Sequence, residues 1–192
     1  AGTSVETVTL DAGTGTTSVG VIGSGTEIGT LSIGSSDNGG ITLNGAITTD
    51  GVVTLDGPIT LATAAITITT ADDNINLQGT VDGGKALTLA SGSGAVTVDG
   101  VIGSSTALSS LTVNSSGAGT IEITNIGTTS AAGVTGATAI GNTNTATLTL
   151  DGTVYTTNGA TYTAATGENI DLTGGATTTF TSSNDDITFG TA

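Results

Sequence analysis

Two stretches of this sequence are written twice at one separation. Val53-Thr-Leu-Asp-Gly57 returns as Leu148-Thr-Leu-Asp-Gly152, and Asn74-Ile-Asn-Leu-Gln-Gly79 returns as Asn169-Ile-Asp-Leu-Thr-Gly174, both 95 positions on. A second pair, Gly20-Val-Ile-Gly-Ser24 and Gly100-Val-Ile-Gly-Ser104, repeats at an offset of 80, as do Ile41 and Ile121. Repetition on this scale marks an array of stacked units rather than a unique globular core. The two offsets divide the chain into a first unit, 1–82, and a second, 83–177, with an insertion of about 15 residues within 126–147. Residues 178–192 then open a further coil, and one continuous array is expected.

Within the units, short runs carry an apolar residue at every second position, the period of a half-buried strand. They are Val5–Leu10, Ile28–Ile33, Ile41–Leu43, Val52–Leu55, Ile66–Thr69, Ile75–Leu77, Ala86–Leu89, Ala95–Val98, Leu108–Val113, Thr120–Thr124, Ala146–Leu150, Ile170–Leu172 and Thr177–Phe180. No stretch sustains a helical period. Asp56-Gly57, Asn44-Gly45, Asp99-Gly100, Asp151-Gly152 and Asn158-Gly159 punctuate the runs as turn pairs, where Gly supplies positive φ. The turn after each T-L-D-like triplet falls at Asp56, Gln78 and Asp99, and again at Asp151 and Thr173. Steps of about 21 residues suit one coil of a β-solenoid, and nine coils would make a rod roughly 43 Å long.

Composition agrees. The chain holds 32 Gly, two Tyr, two Phe, and no Trp, Met, Cys or His. A right-handed parallel β-helix of narrow bore is therefore the predicted fold, since Val, Ile, Leu, Ala and Thr must line it. Tandem immunoglobulin-like sandwiches are the alternative, because 80 to 95 residues is also one such domain. Two sheets packed about 10 Å apart normally draw on aromatic core residues that this chain lacks.

Charge narrows the partners. Sixteen acidic residues face the single cation Lys85, for a formal charge of −15. One cation cannot neutralise a phosphate backbone, which excludes nucleic acid as partner. No basic amphipathic face and no long apolar run points to membrane insertion. With no initiator Met and no leader, a mature or excised segment is expected.

Thr80-Val-Asp-Gly83, Ala86-Leu-Thr-Leu89, Ala95-Val-Thr-Val-Asp-Gly100, Val101-Ile-Gly103 and Leu108-Ser-Ser-Leu-Thr-Val113 resemble the repeats of giant bacterial surface proteins. Those are the filamentous-haemagglutinin-like, β-strand-repeat adhesins. The resemblance is densest from Ile41 to Val113 and from Leu148 to Phe189, and it implies export, a parallel β-helix and an adhesive or structural role. It brings no catalytic residues.

The residues themselves offer little chemistry. Without His or Cys, the many hydroxyls lack the base that would activate them, and no enzyme is expected. Asp72-Asp73 and Asp185-Asp186 are sequence neighbours, which on a strand point to opposite faces and suit no glycosidase pair. Calcium takes carboxylate and turn-carbonyl oxygens, so Asp72, Asp73 and Asn74 form one candidate cation turn. Asp185 and Asp186, beside Asn184, form the other; solvated turns are the plainer account of both. No other cofactor is implied. Thr67-Ile-Thr69, Thr147-Leu-Thr149 and Thr161-Tyr-Thr163 are similar to the threonine arrays of ice-binding solenoids, but the motif skips most coils. Asn114-Ser-Ser116 is a lone glycosylation sequon. The expected role is an extracellular structural or adhesive solenoid, a subunit or stalk of a surface fibre or matrix. Its partners are copies of itself, head to tail, or adjoining repeats of a larger chain. The alternative is a ligand-binding module for calcium, glycan or ice.

Overall fold

The computed structural model describes residues 5–34, 39–63 and 65–191. Among them there is no helix, and the strands stack as a parallel β-solenoid of about eight coils. Coil 1 holds β1 (Thr7–Leu10) and β2 (Thr16–Val19); coil 2 holds β3 (Thr30–Gly34), β4 (Gly40–Leu43) and β5 (Ile47–Thr49). Coil 3 follows with β6 (Val53–Asp56), β7 (Ile59–Leu61) and β8 (Ile66–Thr70), and coil 4 with β9 (Ile75–Leu77), β10 (Val81–Asp82) and β11 (Ala86–Ala90). Coil 5 holds β12 (Val96–Ile102) and β13 (Ser110–Asn114), and coil 6 holds β14 (Ile121–Ile126) and β15 (Thr138–Ile140). Coil 7 holds β16 (Leu148–Leu150), β17 (Val154–Thr157) and β18 (Ala160–Ala164); coil 8 holds β19 (Ile170–Leu172), β20 (Thr179–Ser182) and β21 (Ile187–Thr191).

Each coil turns through three faces. Face A stacks β1, β3, β6, β9, the first halves of β12 and β14, then β16 and β19. Face B stacks β2, β4, β7, β10, the second halves of β12 and β14, then β17 and β20. Because β12 and β14 run round the corner between these faces, A and B form one fourteen-stranded sheet. Face C is a separate seven-stranded sheet of β5, β8, β11, β13, β15, β18 and β21. Every strand pair is parallel and joins neighbouring coils, whereas tandem sandwiches would need antiparallel pairs.

The coil is longer than the turn markers suggested, about 23 residues. Val53, Ile75 and Val96 are partners 22 and 21 apart, but Ile121 and Leu148 are 27 apart. Extra residues gather at corners, and at the A–B corner they shift the β12–β14 register between Val98 and Val101; the largest group separates β14 from β15. With eight coils at about 4.8 Å, the rod is roughly 38 Å long. The 95-residue offset relates face A positions four coils apart, as Val53 and Leu148 show. The 80-residue offset does not measure an insertion. Ile22 bridges Ile47 on face C, while Ile102 pairs with Val81 on face B, so two like turns sit at different corners.

Inward positions form columns along the axis. Val8, Leu31, Val53, Ile75, Val96, Ile121, Leu148 and Ile170 make one such column on face A. Burying a Val, Leu or Ile contributes about 1.5–3 kcal/mol, and alternation assigns every second residue to this lumen. The aromatics enter only in the last two coils. There Tyr155 lies over Phe180 at 5.0 Å and Tyr162 over Phe189 at 4.9 Å, with edge-on contacts between the two stacks.

The glycines of the turn pairs have a different cause from the one predicted. Gly57 and Gly159 do have positive φ, but Gly45, Gly100 and Gly152 do not. Instead Gly57, Gly79 and Gly100 stack at the A–B corner, and a Cβ on Gly79 or Gly100 would lie 2.1 Å from the carbonyl oxygen one coil below. Close approach of backbones fixes these residues. Gly79→Ala and Gly100→Ala are each expected to cost about 2 kcal/mol by overpacking. Gly20→Ala, with ordinary φ and nothing within 4 Å, should stay within about 0.5 kcal/mol. Urea unfolding of the three variants checks this.

Candidate functional site

The predicted cation turns lie on different corners. Asp72, Asp73 and Asn74 connect β8 to β9 at the C–A corner, and Asp185 and Asp186 connect β20 to β21 at the B–C corner. Four to five coils, roughly 20 Å, separate them along the axis. Each run has a structural occupation. Asp72 Oδ1 accepts the Ser93 amide at 2.9 Å, and Asn74 Oδ1 accepts the Ala95 amide at 2.9 Å, both one coil on. The Asp73 carbonyl accepts the Thr70 hydroxyl. Asp185 Oδ1 accepts the Asp186 amide at 2.9 Å, and the Asp185 carbonyl accepts the Ser182 hydroxyl. Among the described residues no three acidic, His or Cys side chains gather closely enough to hold a metal ion.

The same side chain-to-next-coil bond recurs where the sequence gave no warning. Asp82 Oδ1 accepts the amides of Ser105 and Thr106 at 2.7 and 2.8 Å, and its Oδ2 accepts the Ser104 hydroxyl at 3.0 Å. Asn125 Oδ1 accepts the amides of Thr153 and Val154 at 3.0 and 2.9 Å. Corner amides cannot join a strand ladder, so Asx side chains satisfy them across the coil step.

The C–A corner adds hydroxyls to these bonds. Thr49, Thr70, Ser91 and Ser115 occupy it in successive coils, each at most 2 % exposed. Thr49 donates to the Gly51 carbonyl at 2.5 Å, Ser91 to Gly94 at 2.7 Å and Ser115 to Gly119 at 3.0 Å. Each caps a carbonyl that the turning chain would leave buried and unpaired. Their 21- to 24-residue spacing was the available signal, hidden by the abundance of Ser and Thr.

Two shallow depressions lie on the surface of the described residues. One, about 180 Å³, is lined by Thr138, Gly159, Ala160, Asp185 and Asp186; the other, about 520 Å³, is the open mouth of coil 1 beside Leu10 and Thr17. Neither brings together the convergent polar groups of a small-molecule site. Tyr155 is buried, its hydroxyl donating to the Ile123 carbonyl at 2.7 Å and accepting the Gly152 amide at 2.9 Å. Burial drives both Tyr155 and Tyr162 well above the ordinary phenol range. Lys85 is half-buried in the corner between β10 and β11.

The Thr-x-Thr motifs divide between faces: Thr67, Thr69, Thr161 and Thr163 stand outward on face C, Thr149 on face A. Register shows what the motifs alone concealed. Thr67, Thr88, Thr112, Thr161 and Thr188 form one rank down face C, broken only by Ala139.

Fold and surface together define a β-solenoid stitched at its corners. No known protein family, curated protein or solved structure matches the chain.

Asp82→Ala removes three charge-assisted bonds between coils 4 and 5 and is expected to cost about 2 kcal/mol in urea unfolding. Asp72 gives a pH signature. The Ser93 amide, and then the Ser93 hydroxyl, hold its carboxyl below the ordinary value of 3.8. A depressed folded value stabilises above 3.8, and that contribution disappears as pH falls through the folded value. Asp72→Asn should therefore show a weaker loss of melting temperature than the parent in that acid window.

Proposed function

We propose that this chain is a structural β-solenoid, a spacer or stalk of an extracellular fibre or matrix that continues end to end. The observation behind this reading is the state of the two end coils. Interior coils bury their lumen residues completely, whereas Leu10 is 36 %, Leu172 52 % and Phe189 45 % exposed. Beside them, β1, β2, β19, β20 and β21 each pair on one side only among the described residues. An open strand edge over an apolar lumen is a template for another coil. The columns are compatible: Val8 and Leu10 at one end share face A positions with Ile170 and Leu172 at the other. The next coil is supplied by adjoining repeats of a longer chain or by a second copy, head to tail.

The likeness to filamentous-haemagglutinin-like repeats supports placement at a bacterial cell surface and a part in adhesion. An inventory without His or Cys, and corner polar groups committed to coil-to-coil bonds, agree with a mechanical rather than a catalytic role.

Electron microscopy of the purified chain tests the reading. Elongated particles with a layer line near 4.8 Å are expected, as filaments if copies stack and as short rods if the next coil must be covalent. Compact paired globules would sink it.

A further inference from the structure

Acids on face A follow a rhythm along the axis. At the A–B corner, one residue past the last inward position, they occupy every second coil as Asp11, Asp56, Asp99 and Asp151. Neutral Gly34, Gln78, Thr124 and Thr173 stand in the coils that follow them. The middle outward column does the same, with Glu122 between Thr97 and Thr149 and Asp171 next after Thr149. Two coils span about 9.6 Å, close to a Debye length of about 10 Å at 0.1 M salt, whereas adjacent coils at about 4.8 Å lie well inside it. Alternation keeps like charges from facing each other across a single coil step.

Carried past coil 8, the rhythm fits coil 1. The inward column of face A begins at Val8 and ends at Ile170, so a coil 1 laid in register on coil 8 sets Thr9 over Asp171 and Asp11 over Thr173. Both columns keep their alternation across such a joint. The ladder continues as well. Within the chain the Ile121 amide donates to the Thr147 carbonyl at 2.9 Å and the Leu148 amide to the Asn169 carbonyl at 3.1 Å. The Ile170 amide would find the Thr7 carbonyl in the same way. In the lumen Phe180 would cover Thr17, and Phe189 would cover Ile22 as Tyr162 covers Ile140 within the chain.

One column breaks the rule. Glu6 and Glu168 stand two residues before the inward Val8 and Ile170, a place that the interior coils give to Gly, Ala or, once, Asp73. The joint sets these two carboxylates on neighbouring coils. We propose that the next coil at each end is a second copy of this chain, seated head to tail in this register, and that the Glu6–Glu168 pair sets how tightly it holds. The proposal rests on the solenoid reading above and commits it to one of its two sources of a next coil. The contact is heterologous, so it continues into a filament rather than closing.

Sedimentation velocity of the chain from micromolar to millimolar concentration, with electron microscopy of the largest species, tests the proposal. Particle length is expected to grow with concentration. Glu168→Lys, which turns the opposed carboxylates into an ion pair, should tighten the association roughly tenfold. Thr9→Glu, which faces Asp171 across the joint, should weaken it roughly threefold. Thr112→Glu, on face C in the middle of the rod, should leave it unchanged. The chain has no Cys, and a Cα separation of about 4.8 Å suits a disulfide. Glu6→Cys chains mixed with Glu168→Cys chains should therefore oxidise mainly to mixed dimers; like pairs in equal or greater yield overturn the register. Rods one chain long at every concentration, in the parent and in Glu168→Lys alike, overturn the proposal but leave the spacer reading intact, with the next coil supplied covalently. Growth that ignores both Glu168→Lys and Thr9→Glu overturns it too, and compact globules sink both readings.

Discussion

One spacing governs this molecule. Parallel strands in neighbouring coils lie about 4.8 Å apart, and every coil must meet that distance on all three faces at once. Backbone paths must therefore superpose, and whatever stands at a position in one coil meets its counterpart in the next. Columns of Val, Leu and Ile satisfy this rule in the lumen. Glycine satisfies it at the A–B corner, where Gly79 sits so close to the Gly57 carbonyl that a Cβ has no room. Residue choice here follows from contact along the axis more than from local conformation.

Corners are where the rule is hardest to meet, because a turning chain leaves amides and carbonyls outside the ladders. Two solutions coexist. Asp72, Asn74, Asp82 and Asn125 reach to amides of the following coil. Thr49, Ser91 and Ser115 instead cap carbonyls of their own turn. Carboxylates that composition would assign to solubility or to cation binding are thereby part of the stitching. This helps a chain with so little aromatic surface to close a core, although the buried Thr17 and Thr138 hydroxyls and one Asp151 oxygen find no partner.

The sequence was legible where alternation was strong. All eight rungs of face A were anticipated, because Val, Ile and Leu alternate there with hydroxyl or acidic residues. The strands β2, β5, β7, β10, β15, β17, β18 and β21 were not. Several have only two to four residues, and Thr or Ala takes inward places, as at Thr49 and Thr138. Coil length was underestimated because the markers sampled Asp56 to Asp99 and Asp151 to Thr173, among the shorter coils, while the longer steps from Val96 to Ile121 and on to Leu148 hide in corner residues that make no pattern. Calcium candidates were chosen as clusters in sequence, and Asp72 and Asn74 among them make coil-to-coil bonds; Asp82 and Asn125, which make the same bonds, are single residues whose partners lie 22 to 29 positions away.

The same separation between sequence and stack decides what the surface can do. A charge count of −15 suggests a rod repelling its neighbours on every side, yet register gathers the acids on faces A and B and at the two ends of face C. The ends and the sides of the rod then present different chemistry. The proposed axial continuation would draw on the open columns, aliphatic at Leu10 and Leu172 and aromatic at Phe189. A rod built this way exposes apolar columns at its ends and acids on its sides, and that asymmetry is set by which residues each column brings into line.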